Sequence, residues 1–132
     1  MTPTQRTLAA LRAEGYQAAI VEKWNPHVKI RQDVWKFGDI LACRVLPDGS
    51  NQEIALIQCT TQVNAAARVT KIITTCREAA CKWLQAGGNL VVWGWAKRGP
   101  RGKRKTWSAT RTQIELPDVD QDFEVKDPRV TQ

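Results

Sequence analysis

The chain has 132 residues, of which 42% are hydrophobic and 25% charged, and its formal net charge is +7. This length and apolar content predict one folded domain with its own core and exclude a disordered chain. No apolar run is long enough to span a bilayer and no charged-then-apolar leader opens the chain, so a cytoplasmic protein without a membrane partner is expected. The basic balance favours a polyanion, nucleic acid first and an anionic surface second.

In chain order, Thr4 to Glu14 reads as a helix capped by Thr4, with Leu8 and Leu11 in its apolar stripe and Gly15 as its stop. Tyr16 to Trp24 reads as a strand broken by Asn25-Pro26-His27. His27 is the single histidine, and no partner spacing makes it a ligand or a base. Phe37-Gly38-Asp39-Ile40-Leu41-Ala42 holds one carboxylate in an apolar run, as a buried strand would. Leu46 to Asn51 is a dense turn signal, and Ile54 to Thr60 reads as a second buried strand. A strand pair joined by that turn brings Asp39 near Gln58. The two-residue period puts Gln58 and Thr60 on one face, where polar groups are costly unless paired or used.

Val63 to Leu84 carries apolar residues at a 3.6-residue spacing and predicts one long amphipathic helix, with Arg68 and Lys71 on the opposite face and Gly87-Gly88 as its stop. Asn89 to Ala96 is a third core strand with Trp93 and Trp95 on one side, and Thr106 to Leu116 reads as a last strand. Between Lys97 and Arg111 there are seven basic residues and no acidic one: Lys97, Arg98, Arg101, Lys103, Arg104, Lys105 and Arg111. With Trp107, Trp93 and Trp95 nearby, this cluster suits phosphate contacts and stacking on bases. From Pro117 the chain turns acidic and aperiodic, predicting a loosely ordered tail over residues 117–132 after a domain over residues 1–116. Opposite charge suggests that this tail can compete for the basic loop. The four cysteines (Cys43, Cys59, Cys76 and Cys81) form no CxxC pair, and reduced, structural thiols are expected.

The order helix, strand, strand, turn, strand, amphipathic helix, strand, together with Gly38-Asp39-Ile40 and Ile57-Gln58-Cys59-Thr60, resembles the PD-(D/E)xK nuclease superfamily, which includes restriction endonucleases and Holliday junction resolvases. FGDILA, LIQCTT and VVWGW are similar to small phage- and prophage-type members. The resemblance implies an α/β fold with a restriction-endonuclease-like core: a mixed central sheet flanked by helices. It implies a metal-dependent DNA endonuclease using Mg²⁺ or Mn²⁺, acting on branched or single-stranded DNA rather than on a base sequence, and it allows a homodimer, as junction-resolving members use.

By that resemblance Asp39 is the main metal ligand, Gln58 stands where the second carboxylate belongs, and the Cys59 carbonyl is the backbone ligand. Thr60 stands in place of the lysine, a departure from the pattern, because a hydroxyl cannot supply positive charge to the attacked phosphate. Lys71, Arg68 and Lys36 are the cations that can replace it, and Glu22 is the carboxylate that can replace the one lost at Gln58. The alternative reading is a DNA-binding or protein-interaction domain on a nuclease scaffold with its chemistry lost.

Overall fold

The computed structural model describes residues 1–49, 53–120 and 129. Its elements are α1 (Pro3–Ala13), β1 (Gln17–Ile20), β2 (Lys23–Asn25), β3 (Ile30–Gln32), β4 (Ile40–Arg44), β5 (Glu53–Thr61), α2 (Gln62–Thr74), α3 (Arg77–Gln85), β6 (Asn89–Arg98), β7 (Thr106–Ile114) and α4 (Leu116–Val119). Five strands form one mixed sheet in the order β1-β4-β5-β6-β7. Only β5 and β6 run parallel, and α2 and α3 make the crossover between them. The chain is therefore α/β, with a mixed central sheet flanked by helices.

Strand alternation divides the core between the two faces of the sheet. Ile40, Ala42, Ala55, Ile57 and Trp93 pack with Leu11 of α1 on one face. Leu56, Leu90, Val92 and Ile114 pack with Ala65, Ile72, Ala80 and Cys81 of α2 and α3 on the other. A β-carbon on Gly94 would lie 2.9 Å from that of Ala65, so this glycine lets α2 sit close on β6. No helix among the described residues is long and apolar enough to cross a membrane.

Several local expectations change. Helix α1 starts at Pro3, and Thr2, not Thr4, caps it in a reciprocal pair with Gln5. The strand expected over Tyr16–Trp24 is two strands. Val21 makes a last backbone bond to Asp39, after which the chain leaves the sheet into a separate β2–β3 hairpin. The strand containing Asp39 begins only at Ile40, because Trp35 and Lys36, with φ of 51° and 70°, form a tight loop closed by Val34 and Gly38.

The long helix is two helices broken at Thr75–Cys76. Thr70 and Thr74 bond back to the carbonyls of Ala66 and Thr70 just before the break, a pattern that weakens a helix. The buried stripe of α2 runs through Ala65 and Ile72, which leaves Val63 91% exposed. Where a loose tail is expected, Leu116–Val119 form α4, whose Val119 is fully buried. Asp120 follows, its carbonyl accepting from Arg77, and residues 121–128 and 130–132, with any contact they make with the basic loop, lie outside the described residues.

Candidate acidic site at the end of the sheet

Asp39 immediately precedes β4, and its backbone N–H donates to the Ile57 carbonyl at 2.9 Å, which fixes it beside the last third of β5. Gly38 is needed here, since a β-carbon on it would lie 2.7 Å from the Leu56 side chain. The Asp39 side chain is buried. Its Oδ2 accepts from the Cys59 N–H at 2.7 Å and from Gln58 Nε2 at 2.7 Å. The same Gln58 nitrogen lies 3.4 Å from Asp33 Oδ2.

The β2–β3 hairpin completes the site. Lys23 pairs with Gln32, so the residues just outside that pair, Glu22 and Asp33, meet at the base of the hairpin. Glu22, Asp33 and Asp39 each bring a carboxylate oxygen to within 4.8 Å of the others. Burial, the contact with Asp33 and the charges of Asp33 and Glu22 push the Asp39 carboxyl up to about 8, although the Cys59 N–H pulls the other way. Three acids crowded in a partly dry site strongly disfavour a third negative charge. A divalent cation would relieve that repulsion.

The donor set fits such an ion. Gln58 is 2% exposed, and its Oε1 is a buried oxygen with no hydrogen-bond partner. A buried amide oxygen without a partner is costly. Rotating the amide would turn Oε1 toward Asp39. Three carboxylates and one amide carbonyl form an all-oxygen set, the chemistry of Mg²⁺ and Mn²⁺ sites. In a strand the N–H and C=O of one residue point toward the same neighbour. The Cys59 carbonyl therefore faces the same side as the N–H that bonds Asp39. Burial raises the Cys59 thiol to about 12, and its side chain packs with Leu11 and Ile57 on the α1 face of the sheet.

The cations expected to replace the motif lysine stand elsewhere. Lys71 Nζ donates to the Lys36 carbonyl and so braces the loop ahead of Asp39. The Lys36 side chain is exposed on that loop and lines a surface pocket of about 570 Å³ with Trp35, Trp83 and α3. Arg68 is half-buried on α2 and makes no ion pair among the described residues. Thr60 is buried beside Gly94. The cation that reaches the cluster is Arg31 of β3, whose Nη1 lies 3.2 Å from Glu22 Oε1. Asp33 and Arg31 were not legible as site residues. Their one signal is the symmetric flanking of the Asn25-Pro26 turn, which becomes visible once the hairpin register is known.

Strands β5 and β6 run parallel, so the basic loop after β6 leaves from the same end of the sheet as the acidic site. Arg101, Lys103, Arg104 and Lys105 are exposed there. Lys97 and Arg98 still belong to β6, and Arg98 bonds Gln62. Arg111 is not a free phosphate contact: it forms a two-pronged pair with Glu14 at 2.8 Å and lies 3.9 Å from the Trp93 ring. Trp93 is buried and offers no stacking face, and the half-buried Trp95 donates its Nε1–H to Thr7. Trp107 is partly exposed, with Arg6 over its ring.

Fold and site together define an α/β chain with a mixed five-stranded sheet and, at one of its ends, a cluster of three carboxylates of which Asp39 is buried. No protein-family model, curated protein or solved structure matches it.

Proposed function

We propose that the chain is a metal-dependent DNA endonuclease of PD-(D/E)xK type, with a restriction-endonuclease-like core whose second motif has been redistributed. The observation that carries this reading is the buried Asp39 carboxylate, set against Asp33 and Glu22 and bonded by Gln58, whose own Oε1 has no partner. The order α1, β1, β4, β5, α2, β6 supports it, because it is the order of helices and strands on which the resemblance rests. A bound Mg²⁺ or Mn²⁺ would supply Lewis acidity and lower the pKa of a coordinated water. Asp39, Asp33 and Glu22 would hold the ion, with the Gln58 oxygen and the Cys59 carbonyl as neutral donors. The exposed basic loop would hold the DNA backbone, giving affinity that falls as salt rises.

A second reading, a nuclease scaffold that binds DNA without cutting it, is favoured by one observation. Gln58 donates to Asp39 Oδ2 and so covers the oxygen a metal would take. Supercoiled plasmid and a four-way junction, incubated in Mg²⁺, Mn²⁺ or EDTA with wild type and Asp39→Ala, separate the two. Metal-dependent cutting that the variant loses supports the nuclease. Binding without cutting, unchanged by Asp39→Ala, supports the scaffold, and no DNA binding at low salt overturns both.

A further inference from the structure

The β2–β3 hairpin stands apart from the main sheet, pairing with neither of its edges. From Lys23 to Gln32 it carries Lys23, Lys29 and Arg31, and no acid. Its apolar side chains are turned outward: Trp24 is 58% exposed, and Val28 and Ile30 are more than half exposed. A two-stranded ribbon gains little stability alone, and large exposed apolar side chains on it are unexplained by folding.

The register gives this surface a direction. Trp24 pairs with Arg31, and the next positions toward the base are Glu22 and Asp33. Side chains at opposed positions of an antiparallel pair share a face, and positions two apart along a strand share it too. The contact between Arg31 and Glu22 confirms the common face. One side of the ribbon thus carries the acidic cluster at its base and, further out, a guanidinium and an exposed indole side by side, the guanidinium leaning back to Glu22. A DNA strand with one phosphate at the acidic site offers both of these groups a partner nearby: a neighbouring phosphate for the cation, and a base for the aromatic ring.

From this arrangement, and resting on the nuclease reading above, we infer that the hairpin is a DNA-gripping arm in which Arg31 takes a backbone phosphate and Trp24 stacks on an unpaired base. The substrate class is therefore DNA with a single-stranded segment, such as a splayed end, because a base inside an intact duplex has no free face for the indole. Charge complementarity favours DNA over other occupants. An anionic membrane would satisfy the lysines and the outward Val28 and Ile30, but not a guanidinium and indole lined up on an acidic cluster.

The test uses the full chain, in Ca²⁺ or EDTA to prevent cutting, with three labelled oligonucleotides: a single strand, a splayed-arm duplex and a blunt duplex. Trp24→Leu is compared with Trp24→Phe, and Arg31→Ala is measured beside them. Trp24 is exposed, so the melting temperatures of its two variants should match wild type. Wild type should prefer the single-stranded and splayed substrates. Trp24→Leu should weaken these by about 5- to 100-fold, the range for one stacked base, while Trp24→Phe retains most of the affinity and blunt-duplex binding changes little. Equal loss on all three substrates, or no loss, overturns the stacking role. So does binding of the wild type to phosphatidylglycerol vesicles that Trp24→Leu abolishes while DNA binding stays intact. The nuclease reading fails separately: wild type that binds the splayed substrate through Trp24 yet never cuts it in Mg²⁺ or Mn²⁺ keeps the arm and loses the enzyme.

Discussion

Asp39→Asn should make the metal-free protein more stable while removing its response to divalent cations. The Asp39 carboxyl, ordinarily near 3.8, is pushed up to about 8 by burial and by Asp33 and Glu22. Between those values the folded protein binds more protons than the unfolded chain, so stability is full below about pH 4 and declines as pH rises through 8. At full strength that difference corresponds to roughly 6 kcal/mol. Arg31 lies against Glu22 and offsets part of the repulsion, and the site can relax, so about 1 to 3 kcal/mol is the expected gain at pH 9. The amide fits the hydrogen bonds already present: its oxygen can accept from the Cys59 N–H and from Gln58 Nε2, as Asp39 Oδ2 does. Melting curves from pH 4 to 9 in EDTA should separate the two proteins by about 5 to 10 °C at the alkaline end and converge at the acid end. Mn²⁺ should raise the melting temperature of wild type alone. A variant that melts below wild type at pH 9, or that gains as much from Mn²⁺, would refute this account of the site.

Three further outcomes follow from the same geometry. Replacing Arg101, Lys103, Arg104 and Lys105 by alanine should flatten the log-affinity against log-salt plot for DNA by about 3, since each phosphate contact contributes a little under one to the slope; an unchanged slope removes the loop from the interface. Arg111→Ala should leave that slope alone and cost about 1 kcal/mol in urea unfolding, because its pair with Glu14 and its position over Trp93 are structural. Gly38→Ala drives a β-carbon into the buried Leu56 and should cost about 1 to 3 kcal/mol by the same measurement, with metal-stimulated melting shifts lost as Asp39 moves.

The layers of this fold were legible because its core strands are apolar on both faces and its helices are periodic. β5 and β6 needed nothing beyond their Ile, Leu and Val content and the Gly87-Gly88 stop. Breaks were harder. The end of α2 depends on Thr70 and Thr74 bonding back to the helix, and the late start of β4 depends on two left-handed residues, Trp35 and Lys36, neither of which is a glycine. Asp39 stood out because one carboxylate in an apolar run is expensive. Asp33 did not, since in sequence it is an ordinary polar residue between Gln32 and Val34, and only the pairing of Lys23 with Gln32 carries it to the site. Arg111 looked like a free cation for a related reason: its partner, Glu14, is 97 residues away in the chain.

The proposed nuclease reading would give a reason for the amide and the hydroxyl on β5. In the resembled pattern one strand supplies both a carboxylate and a lysine, but here Gln58 and Thr60 supply neither charge. The base of the hairpin carries both kinds of group, Asp33 and Glu22 as acids and Arg31 as the cation. Arg31 cannot fully serve Glu22 and a DNA phosphate together, so its two partners compete. On the proposed nuclease reading, a phosphate that drew Arg31 outward would leave the cluster more negative and better able to hold a divalent cation. By linkage, a bound cation would then strengthen DNA binding by the same factor. Arg31→Ala isolates one side of this coupling. Without DNA, removal of a cation 3.2 Å from Glu22 should tighten Mn²⁺ binding by about 5-fold, the effect of one nearby charge in water. Calorimetric titration measures it directly, and weaker Mn²⁺ binding in the variant would mean that Arg31 organises the cluster instead of competing with the metal.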